Sequence, residues 1–287
     1  NEEEKRDYAV NKKVIDFLIE GGLDGILVLG SAGEFPDLNE QERLDFFRFY
    51  AEYVNGRVEL LAGTGCIRYA DTLALSNAVY ELGYTPMVIS PYYFEMDQEK
   101  PFVYYDRLAK DVKGDLYLYN FPPRTGHSIA PETIRRLIDA NPNIIGLKDS
   151  VSTPGHTNMV CRAVEGKPFT VYSGFDDQFL SNIANNGGGG CIGALSIIVP
   201  EIWSSLVKAA NERDFDRTFA LYHLIQKLMP IYDMDTNCSL ILQKLLVHRG
   251  LEISDRAVCP FNQMNAAIYQ SAADLLDSVL AEYRSMR

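Results

Sequence analysis

Apolar positions along this chain follow two alternating patterns. Short apolar runs occur at Gly25–Leu29, Val58–Ala62, Met87–Ser90, Leu116–Tyr119, Ile144–Lys148, Thr170–Ser173 and Cys191–Ala194. Between them lie longer segments with apolar residues at helical spacing: Asn39–Val54, Ala70–Leu82, Gln98–Lys110, Pro131–Ala140 and Asp176–Asn185. The runs predict buried parallel strands, and the segments predict amphipathic helices. Asn39 followed by Glu42 has the form of a capping box, and Pro131 suits a first helical turn. Repeated βα units at this spacing predict an α/β fold, a (β/α)8 TIM barrel in preference to an open sheet.

The runs number seven, where such a barrel has eight strands. The first pattern, Asp7–Ile19, is already helical, so the first strand is missing from this sequence. A barrel short of one strand would leave two unpaired inner edges, so an additional amino-terminal strand is expected in the natural protein. The tetraglycine Gly187–Gly190 is too short for a linker and leads directly into the last run. Helical patterns then follow at Pro200–Asn211, Phe215–Met229, Thr236–Arg249 and Asn265–Tyr283. The expected organisation is therefore a barrel over residues 1–199, then a final barrel helix and carboxy-terminal helical extension over 200–287.

Composition narrows the function classes. The chain has 287 residues, 47% hydrophobic and 23% charged, as in ordinary globular proteins. A net charge of -12 argues against nucleic-acid binding, which needs a basic face. No apolar run approaches a membrane span, and the charged start Asn1 to Asp7 has no signal-peptide core, so a cytoplasmic protein is expected. Cys66, Cys161, Cys191, Cys238 and Cys259 are scattered without a CxxC pair and are read as reduced thiols. Histidine is too sparse to suggest a metal centre.

Lys148 is the unusual residue, because it closes the apolar run Ile144–Lys148. Burial disfavours an ammonium relative to a neutral amine, and a neutral lysine amine is the nucleophile that forms Schiff bases with ketones and aldehydes. The alternative is a lysine whose stem packs while its head stays in water. In a βα barrel the reacting groups sit at the carboxyl ends of strands. Those ends here carry Gly30-Ser31-Ala32-Gly33-Glu34, Ser90-Pro91-Tyr92-Tyr93, Tyr119-Asn120-Phe121-Pro122-Pro123-Arg124-Thr125-Gly126, Ser173-Gly174-Phe175-Asp176-Asp177 and Cys191-Ile192-Gly193-Ala194. Each has an ordinary explanation, such as a tight turn, a half-wet tyrosine, a surface arginine or an acidic helix start. Their concentration at consecutive strand ends beside one lysine points to a site.

These motifs resemble the dihydrodipicolinate synthase/N-acetylneuraminate lyase family of pyruvate-handling class I aldolases. The resemblance runs from Gly25 to about Phe261 and is carried by Gly30–Glu34, Tyr119–Pro122 with Thr125-Gly126, and Gly146-Leu147-Lys148-Asp149. It implies that Lys148 forms the Schiff base and that Tyr119 relays protons there. It implies further that Ser31 and Tyr93 complete a hydroxyl relay, Tyr93 being supplied by a neighbouring subunit. The backbone at Ser31 and Ala32 would then hold the pyruvate carboxylate, with Ile192 a further pyruvate contact. A homodimer or homotetramer follows, as do pyruvate with a small aldehyde or 2-oxo acid as substrates, and no metal or organic cofactor.

Substrate choice stays open at this point. Ala32 stands where dihydrodipicolinate synthases usually have a second hydroxyl, whose lost hydrogen bond to a carboxylate is worth about 1.5–3 kcal/mol. Gly174-Phe175-Asp176-Asp177 resembles the substrate-binding pattern of the lyases and sugar-acid aldolases. Arg124, by contrast, matches the synthase position that holds the carboxylate of aspartate semialdehyde, and a guanidinium fork suits a carboxylate. An aldolase for a 2-keto-3-deoxy sugar acid or sialic-acid-like substrate is placed first, and 4-hydroxy-tetrahydrodipicolinate synthase second. A non-catalytic 2-oxo acid sensor is the alternative of another class. A phosphosugar enzyme is disfavoured, since Gly187–Gly190 lacks the GK[ST] ending of a phosphate loop.

Overall fold

The computed structural model describes residues 7–236, 238–254, 257 and 262–286. Within them the chain forms two compact units, one of Gly25–Gly193 and one of Asn1–Asp24 with Ala194–Arg287. The first unit carries seven strands: β1 (Gly25–Val28), β2 (Glu59–Gly63), β3 (Thr85–Ile89), β4 (Leu116–Asn120), β5 (Ile144–Asp149), β6 (Thr170–Ser173) and β7 (Gly188–Cys191). All pair in parallel and in sequential order, with helices in the connections, which is βα-barrel topology.

Residue alternation along the strands builds two cores. Tyr117 and Tyr119 pack in a cluster with Leu29, Leu61, Met87 and Ile89. Leu116 and Leu118 pack instead with Tyr105, Leu108, Ile134 and Val160 from the connecting helices. Successive side chains of a strand point to opposite faces, so β4 contributes to both. Helix Glu40–Val54 starts as expected: Asn39 Oδ1 accepts from the Glu42 amide at 3.0 Å, and Glu42 accepts from the Asn39 amide at 2.8 Å.

Two local departures from the sequence pattern have physical causes. The last strand is the glycine run itself, Gly188–Cys191, not Cys191–Ala194. A Cβ on Gly189 would come within 2.8 Å of the Tyr172 ring, so the close approach of β6 demands glycine there. Asn182 then anchors the run, donating to the Val171 carbonyl and accepting from the Gly190 amide, each at 2.9 Å. The second departure is helix Pro154–Ala163, which the hydrophobic pattern did not reveal. Its buried face is Thr157, Val160 and Cys161, too polar to register as an apolar stripe.

The register of β4 and β5 shifts once. Leu116 pairs with Ile144 but Tyr117 pairs with Gly146, so Ile145 is an extra, bulged residue in β5. A Cβ on Gly146 would lie 2.5 Å from the Thr170 carbonyl oxygen and closer still to the Tyr117 ring, so only glycine fits.

The second unit is helical: Tyr8–Glu20, Pro200–Asn211, Phe215–Leu228, Ile231–Met234, Cys238–His248 and Ala266–Ser285. Arg249 ties it together with a forked pair to Glu201 at 2.7 and 3.0 Å, its guanidinium 4.9 Å from the Phe17 ring centroid. Among the described residues no helix is long and apolar enough to cross a membrane. Cys66, Cys161, Cys191 and Cys238 are free of disulfides, and Cys259 lies outside the described residues.

Candidate active site

Lys148 is the penultimate residue of β5 and is buried, only 8% exposed. Directly opposite it in β4 is Tyr119. The Lys148 Nζ lies 4.7 Å from the centroid of the Tyr119 ring. The Tyr119 hydroxyl shares a 3.2 Å hydrogen bond with Ser31 Oγ, from the loop after β1. Three residues singled out in the sequence, from Ser31 to Lys148, thus converge, with the amine over the phenol ring and the phenol and hydroxyl in one hydrogen-bonded line. A phenol can donate and accept, so the line can carry a proton to or from an atom beside the lysine.

The Ser31 loop is strained at both ends. Leu29 (φ 56°) and Glu34 (φ 54°) adopt the left-handed conformation that non-glycine residues avoid. Such strain costs of order 1–3 kcal/mol per residue and gathers at functional sites. Burial raises the Glu34 carboxyl pKa, and the Asp37 charge adds to the shift. Tyr93, in the loop after β3, is also left-handed (φ 84°) and is 85% exposed, edge-on to Phe94. Among the described residues, its one ring contact is the neighbouring Phe94.

The remaining sequence candidates divide by exposure. Ala32, Arg124 and Asp177 are exposed, and among the described residues no acidic side chain pairs with Arg124. Gly174 and Ile192 are half-buried, and the Ile192 amide donates to the Ser173 carbonyl at 2.9 Å. Asp176 is fully buried, and Gly193 packs so closely on its carboxylate that a side chain there would clash. Phe121 joins this end of the sheet, stacked on Tyr119 at 5.8 Å and edge-on to Phe175 at 6.4 Å.

Sequence reasoning did not single out the polar network around Asp149. That residue is fully buried, and it accepts hydrogen bonds from Asn120 Nδ2 (2.9 Å), His156 Nδ1 (2.9 Å) and Thr157 Oγ1 (2.7 Å). Burial opposes protonation of His156, but the hydrogen bond and charge of Asp149 outweigh it and raise the imidazole pKa above its ordinary value. The signal that could have flagged the network was the alternation rule: Asn120 follows Tyr119 and Asp149 follows Lys148, so they share the other face of the sheet.

With this geometry established, comparison with known proteins identifies the lineage. The description of the dihydrodipicolinate synthetase family matches residues 1–279. The chain belongs to that family. Among its dihydrodipicolinate synthetase relatives is YagE of Escherichia coli (strain K12), provisionally named a 2-dehydro-3-deoxy-D-gluconate aldolase. YagE is 32% identical over 255 residues, covering 88% of this chain and 84% of YagE. The 4-hydroxy-tetrahydrodipicolinate synthase of Kosmotoga olearia is 33% identical over 234 residues, 80% of this chain and 79% of that one. A crystal structure of YagE in complex with pyruvate superposes with a TM-score of 0.91 at 30% identity, covering 96% of this chain and 93% of that one. The TIM-barrel fold expected from the sequence is thus the dihydrodipicolinate synthetase family fold.

Proposed function

We propose that this chain is a pyruvate-dependent class I aldolase in which Lys148 forms a Schiff base with a 2-oxo acid. The observation that carries the reading is the buried Lys148 amine facing Tyr119, whose hydroxyl is hydrogen-bonded to Ser31. As the neutral amine, Lys148 attacks C2 of pyruvate, and the resulting carbinolamine loses water as Tyr119 donates a proton to the departing hydroxyl. The Tyr119 phenolate left by that step takes a methyl proton from the iminium, leaving an enamine, with the iminium nitrogen taking up the electron pair. The enamine carbon attacks an aldehyde carbonyl, whose oxygen takes a proton from the Tyr119–Ser31 line. Water then hydrolyses the new iminium, freeing product and Lys148. Cleavage of a 2-keto-3-deoxy acid is the same sequence reversed.

The pyruvate carboxylate is assigned to the backbone at Ser31 and Ala32, with Ile192 alongside. Gly174, Asp176 and Asp177 are assigned to the rest of the substrate, Asp177 being the exposed acid of the pair. Tyr93 serves the site of a neighbouring subunit in a homodimer or homotetramer, which its exposure and strained backbone support. Exchange of the pyruvate methyl protons for solvent deuterium, followed by proton NMR, tests the enamine step. Exchange that depends on Lys148 supports the reading, and pyruvate that binds without exchange overturns it.

A 2-keto-3-deoxy sugar acid or a sialic-acid-like substrate is placed first, supported by the likeness to YagE and by Ala32. The synthase reading is favoured by one observation, the exposed Arg124, which pairs with no acidic side chain among the described residues and suits a second carboxylate. Arg124→Ala separates the two. A synthase loses use of aspartate semialdehyde while still exchanging pyruvate protons, whereas an aldolase for neutral polyol tails is little affected.

A further inference from the structure

The pairing of Lys148 with Tyr119 depends on a register that the strands do not start in. Continued from Leu116 and Ile144 without the bulge, β4 and β5 would oppose Tyr119 to Leu147 and Asn120 to Lys148. A one-residue slip carries a side chain to the other face of a sheet, so Lys148 would turn away from Tyr119 altogether. Something beyond the bulge has to hold the shifted register at the strand ends. The pair immediately after Tyr119 and Lys148 is Asn120 and Asp149.

We propose that Asn120, Asp149 and His156 are positioning residues for the Schiff-base reaction, a clamp on the outer face of β4 and β5 that keeps the Lys148 amine opposite the Tyr119 phenol. The proposal rests on the assignment of Lys148 as the reacting amine. Asn120 Nδ2 donates to Asp149 Oδ1 at 2.9 Å, a cross-strand bond that exists only in the shifted register. Asn120 also accepts from the Ile129 amide at 3.0 Å, and its backbone carbonyl accepts from the Ser150 amide at 2.8 Å. The second Asp149 oxygen is held from helix Pro154–Ala163, by His156 at 2.9 Å and Thr157 at 2.7 Å.

His156 closes the clamp. Its Nδ1 faces Asp149, and its Nε2 lies 3.2 Å from the Ile129 carbonyl oxygen, so both ring nitrogens meet acceptors. Ser128 Oγ also lies 3.4 Å from Nε2, so the ring bridges Asp149 to the Ile129 segment, and its donation at Nδ1 meets the second oxygen of a fully buried carboxylate. The clamp thereby joins β4, β5, the segment at Ile129 and the helix after β5. None of these side chains reaches the inner face, so their effect on the reaction passes through backbone position.

The test compares Asn120→Ala, His156→Ala and His156→Gln with the wild type. Three quantities are read: the rate at which borohydride traps the pyruvate adduct, KM for pyruvate, and thermal unfolding. A clamp predicts that both alanine variants unfold cooperatively yet form adduct about ten- to a hundredfold more slowly, with KM nearly unchanged, because misplacing a reacting atom slows chemistry more than binding. His156→Gln, whose amide still donates to Asp149, recovers most of the rate. Adduct formation at the wild-type rate in Asn120→Ala, despite a lowered melting temperature, would show that the network only stabilises the fold. Equal losses in His156→Gln and His156→Ala would likewise overturn the clamp. If Asn120→Ala does not fold, the two His156 variants decide the matter by the same criteria. A wild type that forms no adduct removes the lysine assignment itself, an outcome distinct from a wild type whose adduct rate the variants leave unchanged.

Discussion

Lys148 and Tyr119 face each other across the β4–β5 pairing, with the amine 4.7 Å from the centre of the ring and the phenol bonded to Ser31. In the proposed mechanism this relationship joins a nucleophile to a proton path and ties the chemistry to sheet register. The residues forming it come from three different strands or the loops that follow them, as barrel sites require.

Removing only the Tyr119 hydroxyl should separate the proton path from the packing. Tyr119→Phe keeps the ring that stacks on Phe121 but cuts the bond to Ser31. Turnover is expected to fall about 10²- to 10⁴-fold, the usual worth of a positioned acid–base group. Ser31→Ala should fall less, because the phenol remains. Steady-state kinetics with melting curves check both, and the melting temperatures should stay near wild type.

Gly146→Ala should damage fold and site together. The added methyl would overlap the Tyr117 ring and the Thr170 carbonyl, two residues before Lys148 on the same strand. Overpacking of this kind costs about 1–3 kcal/mol, more where backbone must move. Denaturant unfolding should show the loss, and the rate of adduct formation should fall with it.

Two histidines should oppose each other in the pH dependence of stability. His156 has a raised pKa in the fold, since Asp149 outweighs burial. Its contribution is fully present below the unfolded imidazole value of about 6.5 and is lost as pH rises through the folded value. His127 is the reverse: burial lowers its pKa, against a smaller opposing effect of the Thr125 carbonyl. Its contribution is present above about pH 6.5 and is lost as pH falls through its folded value. Chemical denaturation across pH 5 to 9, about the imidazole range, should therefore show His156→Gln flattening the alkaline decline. His127→Gln should flatten the acid one. Unchanged slopes would contradict the assignments.

Tyr93→Ala tests whether that ring works outside its own chain. A side chain 85% exposed and left-handed contributes little to its own subunit, so monomer stability should change by less than about 0.5 kcal/mol. Activity should fall sharply if the ring completes a neighbour's site. Mixing Tyr93→Ala with Lys148→Ala subunits should then restore part of the activity, because each supplies what the other lacks.

Much of this was legible in the sequence because it obeys simple periodicity. Ile144–Lys148 reads as a strand from its apolar run alone, and Pro131–Ala140 matches its helix end to end. Lys148 was recognisable because a charged residue closing an apolar run violates that periodicity, whereas Tyr119 and Ser31 were singled out through the resemblance of their motifs to the family. The glycine strand Gly188–Cys191 was hidden, since glycine has no side chain to reveal a face. Helix Pro154–Ala163 was hidden by its polar buried side, and with it went His156 and Thr157. The bulge at Ile145 was illegible because register is a property of two strands, set by contacts that neither segment displays alone.

The most direct test of the central claim is borohydride reduction in the presence of pyruvate, followed by peptide mass spectrometry. The account predicts a pyruvate-derived adduct on the peptide containing Lys148 and none in Lys148→Ala. Confirmed pyruvate binding with no trapped adduct, or an adduct on another lysine, would contradict it.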